Sequence, residues 1–239
     1  MRPDIIYDSS GQGLHIDNNR VNIVEDSAQF DRRGRLDIPY YANNHFGDKI
    51  TVTFRFFDFP GGDTEQVLMS NCHASGKYGS IEIALRPSTD EVLFRIDTMI
   101  SGMNEIAVPY QKKAWNNVRM TYDGQYLRGQ VNSEENREMV RGYIQNRDRG
   151  VSIGQCGIRR RETKRAYVGY IDEDKTRTKA NKEKPPPYEK KQTPNIGVRP
   201  GAQVESAYLL ACNTIMHQKP THIAPDEVQW NNYSHLAFK

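Results

Sequence analysis

The sequence predicts an all-β protein whose antiparallel strands pack as a two-layered sandwich. Three observations indicate this fold class. Apolar and polar residues alternate with a period of two between about residues 29 and 154, turn-forming residues separate the alternating runs, and no helical segment lies between them. A chain of 239 residues is long enough to bury a core without help from metals or disulfides. We therefore expect one large β domain with appendages.

Alternating runs define the predicted strands. In the first of them, Ile50 to Phe56, the apolar side chains share one face and the polar ones share the other. The predicted strands of this kind are residues 50–56, 80–85, 92–97 and 117–122. The strongest hairpin signal is Asp123-Gly124, which follows the last of these strands and predicts a type I′ turn with positive φ at both central positions.

The character of the chain changes after Ile158. Residues 159–191 hold twelve lysines and arginines against six aspartates and glutamates, a net charge of +6 in a chain whose total is +3. Residues 182–191 contain three consecutive prolines and are expected to be extended and solvated. Order is expected to resume at residues 203–212, either as a last strand of the sandwich or as a separate element.

These changes in composition divide the chain into four predicted segments. Residues 1–27 are an N-terminal flanking segment, and residues 28–174 form the sandwich. Residues 175–200 are a basic, proline-rich loop or linker. Residues 201–239 are a C-terminal extension that either closes the sandwich or stands apart from it.

In order and spacing, the runs resemble the laminin G-like family of concanavalin A-like sandwiches. Residues 30–39 are similar to its opening strand, and residues 114–124 to its Trp-x-x-Val-x-x-x-x-Asp-Gly motif. Residues 151–154 match Leu-x-Ile-Gly, and residues 167–172 match Phe-x-Gly-x-Ile-Asp. The resemblance implies a jelly roll, into which this chain inserts the basic, proline-rich segment that its composition indicates. It also implies that Trp115 packs in the core, in preference to serving as a platform for sugars.

Within this family, the chain looks most like the laminin G-like domain of Pif-type shell-matrix proteins. The similarity lies in the residues around Cys72 and Cys156 and in Tyr40-Tyr41-Ala42 after the opening strand. Such proteins are secreted precursors that combine chitin-binding and mineral-associated regions. The resemblance therefore implies chitin and a calcium carbonate surface as partners.

The resemblance does not extend to calcium binding. Many members bind calcium through an aspartate just before the strand that matches residues 80–85. Here the matching positions are Gly76, Lys77 and Tyr78, and a lysine cannot ligate a hard cation. We predict no metal site and no cofactor.

Three cysteines are too few for a disulfide scaffold, and they lack the spacing of zinc ligands. One interpretation is three buried thiols. The alternative is a Cys72–Cys156 disulfide, because each of these residues follows an apolar run by the same short turn-like step. Cys212 is then free or paired elsewhere.

The sequence contains no recognisable catalytic arrangement. A retaining glycosidase needs two carboxyl groups about 5 to 5.5 Å apart, which on one strand face means a Glu-x-Asp-x-Glu pattern. The nearest clusters, Asp172-Glu173-Asp174 and Asp90-Glu91, place neighbouring carboxylates on opposite faces or in a turn. Nucleophile elbows, phosphate-binding loops and His-Glu-x-x-His are missing from the sequence too. We predict that the chain is not an enzyme, with a degenerate glycosidase as an alternative.

A basic cluster is the best candidate for a ligand-binding patch. Guanidinium groups bind sulfate, phosphate and carboxylate in a bidentate manner, which suits an acidic glycan, an acidic matrix protein or a carbonate surface. The residues of this predicted patch are Arg159, Arg160, Arg161, Lys164 and Arg165. The alternative is a solvated loop without a partner. Nucleic acid is disfavoured, because the chain as a whole is nearly neutral and has no recognisable base-stacking motif.

The predicted function is therefore a secreted extracellular-matrix module that binds polysaccharide or acidic matrix. Its export signal is expected upstream in a longer precursor, because Met1 to Asp4 lack an apolar signal segment, and no run reaches the roughly 20 apolar residues of a membrane span. If the chain is exported, Asn232 is a candidate glycosylation site. The alternative is an intracellular scaffold that recruits a WW-type partner through Pro185 to Tyr188.

Overall fold

The structure, a computed structural model, describes residue 6 and residues 14–25, 27–59, 63–72, 78–156 and 165–172, together with the backbone of residues 215–216 and 234–235. The strands in these ranges are β1 (Asp17–Asn19), β2 (Asn22–Val24), β3 (Ser27–Asp31), β4 (Arg35–Ile38), β5 (Ile50–Asp58), β6 (Gln66–Ser70), β7 (Ile81–Arg86), β8 (Glu91–Thr98), β9 (Gly102–Pro109), β10 (Trp115–Tyr122), β11 (Tyr126–Val131), β12 (Glu134–Met139), β13 (Val151–Ile153), β14 (Val168–Asp172), β15 (Ile215–Met216) and β16 (Ser234–His235). A short 3-10 helix, Pro39–Tyr41, follows β4.

The strands form two antiparallel sheets that face each other across one core. Sheet I has the order β1-β4-β13-β6-β7-β8-β9. Sheet II has the order β12-β11-β10-β5-β14-β3-β2, with β15 and β16 attached beside β5. The predicted all-β jelly-roll sandwich is therefore confirmed.

The apolar residues of the alternating runs that predicted the strands are the residues that form the core. On β5, Ile50, Val52, Phe54 and Phe56 are at most 2% exposed, whereas the threonines and arginine between them are only partly buried. Each fully buried side chain of this size contributes roughly 1.5–3 kcal/mol of hydrophobic stabilisation. The in-and-out pattern of β5 is thus what orients sheet II towards sheet I.

The N-terminal part of the sandwich contains more strands than the sequence predicts. Residues 30–39 do not form a single strand, because the chain crosses from β3 in sheet II to β4 in sheet I. Arg32 takes a left-handed conformation (φ +70°) at this crossing. β1 pairs with β4 and β2 pairs with β3, so residues predicted to flank the sandwich supply one edge strand of each sheet.

The β10–β11 hairpin is present, but its predicted turn type is wrong. Tyr122 pairs with Leu127, and the Asp123 N–H donates to the carbonyl oxygen of Tyr126. Gly124 and Gln125 are therefore the central residues, and of these only Gly124 has a positive φ, +91°. A turn with positive φ at the first central position alone corresponds to type II′.

The C-terminal extension contributes the two short strands β15 and β16. Ile215 pairs with Thr51 of β5, and Ile215–Met216 pairs with Ser234–His235. The apolar segment predicted as a closing strand, residues 203–212, lies outside the described residues. So do the proline-rich residues 175–200 and Cys212.

Candidate functional site

The outer face of sheet II carries an open cleft of about 400 Å³. It lies across β5, β10 and β11, on the side of the sheet that faces away from the core. Polar side chains dominate its lining. The polar lining residues include Lys49, Arg119, Thr121, Arg128, Gln130 and Glu135.

Strand register places these side chains in rows. Arg119 on β10 lies opposite Gln130 on β11, which in turn lies opposite Glu135 on β12. Thr121 lies opposite Arg128 in the same way. Directly opposed residues on one face have Cβ atoms about 4.5–5.5 Å apart. The cleft therefore offers guanidinium, hydroxyl and amide groups, together with the Glu135 carboxylate, at the spacing of neighbouring strands.

The second of these rows extends the positive charge beyond the cleft. Arg128 lies directly opposite Arg137 on β12. Both guanidinium groups lie near the Tyr126 ring, with distances to its centroid of 5.9 Å for Arg128 and 5.7 Å for Arg137. Like charges directly opposite each other on a sheet are destabilising. This arginine pair is thus a cost to the fold that an anion between the two groups would relieve.

The carboxylate of Asp123 shapes the hairpin. One Asp123 carboxylate oxygen accepts the backbone N–H groups of Gln125 and Tyr126, at 3.0 Å and 2.8 Å. The other oxygen lies 3.5 Å from Arg128 Nη2, and both side chains are more than 40% exposed. An ion pair of this length and exposure neutralises little of the charge of Arg128.

Tyr122 lies on the core side of β10, and its hydroxyl donates to the carbonyl oxygen of Gly142 at 2.6 Å. Burial, together with the charges of Asp48 and Asp123, raises the pKa of Tyr122 to about 12. The phenol consequently stays protonated, and therefore a donor, at neutral pH.

At the other end of the same face, Trp115 corrects the expectation drawn from the resemblance. It is not a residue of the sandwich core, because β10 directs it outward and it remains partly exposed. Arg55 stacks over its ring at 4.5 Å, and Phe57 lies 5.9 Å away. Trp115 therefore packs, as expected, but within an outward-facing aromatic cluster that also contains Phe59 and Tyr170.

Of the predicted basic patch, the structure describes only Arg165. Its guanidinium pairs with Glu65 and Glu82, and Arg95 pairs with the same two carboxylates at 2.7 Å and 2.8 Å. The charge of Arg165 is thus compensated within the protein. Arg159, Arg160, Arg161 and Lys164 lie outside the described residues, as does Asn232.

This ion cluster on the outer face of sheet I was not anticipated from the sequence. Glu82 is completely buried, and the Arg95 side chain is 4% exposed. Burial opposes ionisation of Glu65, but hydrogen bonds and charges from Arg95 and Arg165 outweigh it and hold the pKa of Glu65 below its usual value. The Tyr78 ring lies against both guanidinium groups, at 4.4 Å from Arg95 and 4.8 Å from Arg165.

The predicted Cys72–Cys156 disulfide is confirmed, with the two Cα atoms 5.6 Å apart. The disulfide and the ion cluster stand at opposite ends, in sequence, of the same two segments. Cys156 and Arg165 flank residues 157–164, and Cys72 and Tyr78 flank residues 73–77. The basic segment is therefore attached to the sandwich at one end by a covalent bond and at the other by a buried ion pair.

Comparison with solved structures supports the fold. The binding domain of Paraclostridial Mosquitocidal Protein 1 matches with a TM-score of 0.53 at 13% identity, over 70% of this chain and 44% of that chain. The botulinum neurotoxin serotype G binding domain matches with a TM-score of 0.50 at 12% identity, over 69% and 42%. Domains LG4-5 of the mouse laminin alpha1 chain give 0.43 at 11%, over 67% and 40%.

The toxin domains share the sandwich fold. At these identities the likeness concerns the fold alone, and the chain spans less than half the length of the solved chains it matches. No family model and no curated protein sequence matches the chain.

The described residues contain no group of three or more histidine, cysteine, aspartate and glutamate side chains arranged to hold a metal ion. Of the residues that had matched a calcium-binding position, Tyr78 is the one described. No helix in the described part of the chain is long and apolar enough to cross a bilayer.

Proposed function

We propose that this chain is a non-catalytic recognition module of the extracellular matrix, which binds an acidic polysaccharide or another acidic matrix polymer. The observation that carries the proposal is the Arg128–Arg137 pair, two like charges held directly opposite each other beside a polar cleft. A sulfate or carboxylate accepting hydrogen bonds from both guanidinium groups would turn this repulsion into binding energy.

The shape of the surface suits a polymer. Arg119, Arg128 and Arg137 lie on three successive strands and face the same side of sheet II. Neighbouring strands are about 4.8 Å apart, and Arg119 lies one row away from Arg128 and Arg137, so the three arginines are arranged diagonally across the sheet. An arrangement of this kind can contact several acidic groups of one chain, and the hydroxyl and amide groups of Thr121 and Gln130 can bond its neutral oxygens.

Three further observations agree with this proposal. The solved structures with TM-scores of 0.50 or more are named as binding domains of toxins, which favours binding over catalysis. The disulfide favours an oxidising compartment, and hence export, over the intracellular scaffold that would use Pro185 to Tyr188. The cleft is built mostly on strands, which hold side chains in place more precisely than loops do.

The proposal has a broader and a narrower part. The broader part is a second basic surface, which would consist of Arg159, Arg160, Arg161 and Lys164. The narrower part is that the module belongs to a shell matrix, with chitin and a calcium carbonate surface as its partners.

The test is a pull-down of the whole chain on heparin-like glycan, chitin, cellulose and calcium carbonate crystals. Three variants are compared with the parent: Arg128→Gln with Arg137→Gln, the four-residue change of Arg159, Arg160, Arg161 and Lys164 to Ser, and a control with Arg20→Gln and Arg33→Gln, which are exposed elsewhere. Arg165 is kept, because its removal would leave Glu82 less well paired.

We expect the parent to bind the acidic glycan in a salt-sensitive manner and the Arg128/Arg137 variant to bind at least about tenfold more weakly. The control should bind like the parent. If the Arg128/Arg137 variant also binds like the parent, the cleft is the wrong surface. Failure of the parent on every polymer, or cleavage of any of them, would overturn the proposal as a whole.

A further inference from the structure

A second, smaller pocket opens on the outer face of sheet I, where β1, β4 and β13 lie side by side. Its volume is about 270 Å³. Pockets that enclose drug-sized ligands usually measure roughly 300–1,000 Å³, so this one suits a single small ring. Its charged and hydroxyl-bearing lining residues are Asp17, Arg35, Asp37, Asp148, Arg149 and Ser152. The pocket shares no described lining residue with the cleft on sheet II.

Strand register brings three of these side chains into one row. Asp37 on β4 lies opposite Asp17 on β1 and opposite Ser152 on β13. The residues on either side of Asp37, Leu36 and Ile38, are buried in the core. Because side chains alternate along a strand, the row faces away from the core. The pocket is therefore built on the surface of the sheet, and not between the two sheets.

Hydrogen bonds hold the Asp37 carboxylate in a fixed position. One oxygen accepts from Arg35 Nε at 2.7 Å and from the Asn19 amide at 3.0 Å. The other oxygen accepts from the Ser152 hydroxyl at 2.6 Å. A carboxylate has about four acceptor sites, so one remains for a ligand. The Ser152 oxygen, whose proton is donated to Asp37, remains an acceptor as well. This side of the pocket thus presents acceptors at defined places.

Arg149 supplies donors to the same pocket. Its Nε–H is buried and has no hydrogen-bond partner in the described part of the chain. The next residue is Gly150, where a Cβ atom would lie 2.3 Å from the carbonyl oxygen of Ile38. The glycine therefore lets the segment that carries Arg149 lie directly against β4. A buried donor without a partner costs free energy, which an accepting oxygen of a ligand would recover.

The mixture of charges disfavours a ligand with a net charge. The carboxylates of Asp17, Asp37 and Asp148 would repel an anion, and the guanidinium groups of Arg35 and Arg149 would repel a cation. An uncharged ligand avoids both penalties, provided that its groups can donate to the carboxylates and accept from the guanidinium. A hydroxyl group does both, because it carries one donor and two lone pairs. A sugar ring carries several such groups.

An exposed aromatic residue adjoins the pocket. Tyr40 lies in the short 3-10 helix, between Pro39 and Ala42, which both line the pocket. Tyr40 is 65% exposed, and its ring packs at 81° to the ring of the buried Tyr41, with the centroids 5.4 Å apart. The apolar C–H face of a sugar ring can pack on an aromatic ring while its hydroxyl groups bond polar side chains. The combination of Tyr40 with the polar pocket suits a sugar.

We propose that this pocket binds one uncharged sugar unit of a polysaccharide. Its hydroxyl groups donate to Asp37 and Asp148 and accept from Arg149, and Tyr40 contacts the apolar face of its ring. The proposal does not rest on the cleft of sheet II, because the two sites use different residues on opposite faces of the sandwich.

The test is isothermal titration calorimetry of the whole chain with cellohexaose and chitohexaose as uncharged probes and a heparin-derived oligosaccharide as the acidic probe. The variants are Asp148→Asn with Arg149→Gln, and Asp148→Asn alone, which changes only an exposed side chain. The matched control is Glu138→Gln with Arg141→Gln, which also removes one acid and one base, both exposed on and just after β12. Thermal melting verifies that each variant is folded.

The parent should bind at least one uncharged probe, with little dependence on salt, because no net charge is neutralised. The double variant should bind it at least about tenfold more weakly, Asp148→Asn a few-fold more weakly, and the control like the parent. Binding of the acidic probe should be the same in the double variant as in the parent, so failure of either site can be recognised separately.

Three results would overturn the proposal. One is a parent that binds neither uncharged probe. Another is a double variant that binds as tightly as the parent. The third is binding of the uncharged probe that survives in the double variant but is lost with Arg128→Gln and Arg137→Gln, which would assign both ligands to the cleft of sheet II.

Discussion

Arg165 pairs with Glu82, a residue 83 positions earlier in the chain, whose side chain is completely buried on the outer face of sheet I. Because Arg95 pairs with the same carboxylate, two guanidinium groups share one buried charge. This arrangement joins Arg165, at the end of the basic segment, to the start of β7.

Removing the Arg165 guanidinium should destabilise the fold. Breaking a buried ion pair by deleting one partner leaves a charge without full compensation, which costs roughly 3–5 kcal/mol. Because Arg95 remains, we expect Arg165→Ala to lower the free energy of unfolding by about 2–3 kcal/mol, as measured in urea. Arg33→Ala, at an exposed site, should change it by less than about 0.5 kcal/mol. Equal, small losses in both variants would show that the cluster is not stabilising.

Glu65 should make stability sensitive to acid. Its pKa in the folded state lies below the value of 4.5 for an unperturbed glutamate. The ionised group therefore contributes stability above that pH, and the contribution is lost as pH falls through the folded-state pKa. Unfolding measured in urea between neutral pH and acid should show a steeper loss for the parent than for Glu65→Gln.

Asp58 provides the opposite case in the same titration. Burial raises its pKa, although hydrogen bonds from the Lys113 backbone and the Tyr110 hydroxyl partly oppose this. Its protonated form is the favoured one in the fold, so its contribution is present at low pH and is lost as pH rises. The parent should therefore lose some stability as pH rises above 3.8, the pKa of an unperturbed aspartate, and Asp58→Asn should reduce this loss. The loss of stability in acid should remain in this variant. Identical curves for Asp58→Asn and the parent would contradict this.

The extent to which the sequence predicts this structure depends on whether a strand has a buried face. β5 and β10 were predicted because every second residue packs in the core. β12 was missed because all six of its residues are exposed, so it carries no apolar alternation. β1 and β2 are three-residue edge strands held mainly by backbone pairing, which leaves little trace in the sequence.

The candidate site, like the edge strands, left little trace in the sequence. The cleft was missed because its residues are the ordinary polar partners of the core alternation, and only the register reveals that Arg128 faces Arg137. Glu82 has the period of an outward polar residue, yet it is buried beneath Arg165, which lies far away in sequence. The one feature of this region that the sequence did indicate was the disulfide, because Cys72 and Cys156 each follow an apolar run by the same short step.

Loss of the disulfide should destabilise the protein and loosen the two segments it joins. The bond closes a loop of 84 residues, for which removal typically costs about 2–4 kcal/mol. Cys72→Ser with Cys156→Ser should lower the melting temperature, and reduction of the parent should lower it to the same value. Intact mass before and after reduction under denaturing conditions would verify that the bond forms. A parent whose mass and melting temperature ignore the reductant would contradict the assignment.

Gly129 should be intolerant of a side chain, for a reason that a double variant can isolate. It faces the core on β11, and a Cβ atom there would lie 2.3 Å from the Phe94 ring of sheet I. The absence of a side chain is thus what lets the two sheets approach at this point. Overpacking a core typically costs about 1–3 kcal/mol, so we expect Gly129→Ala to reduce the free energy of unfolding by that amount.

Phe94→Leu alone should also destabilise, by leaving a gap. The two changes together should cost less than the sum of the single ones, because the smaller leucine makes room for the new methyl group. Strictly additive losses in urea unfolding would show that the strain at Gly129 does not arise from Phe94.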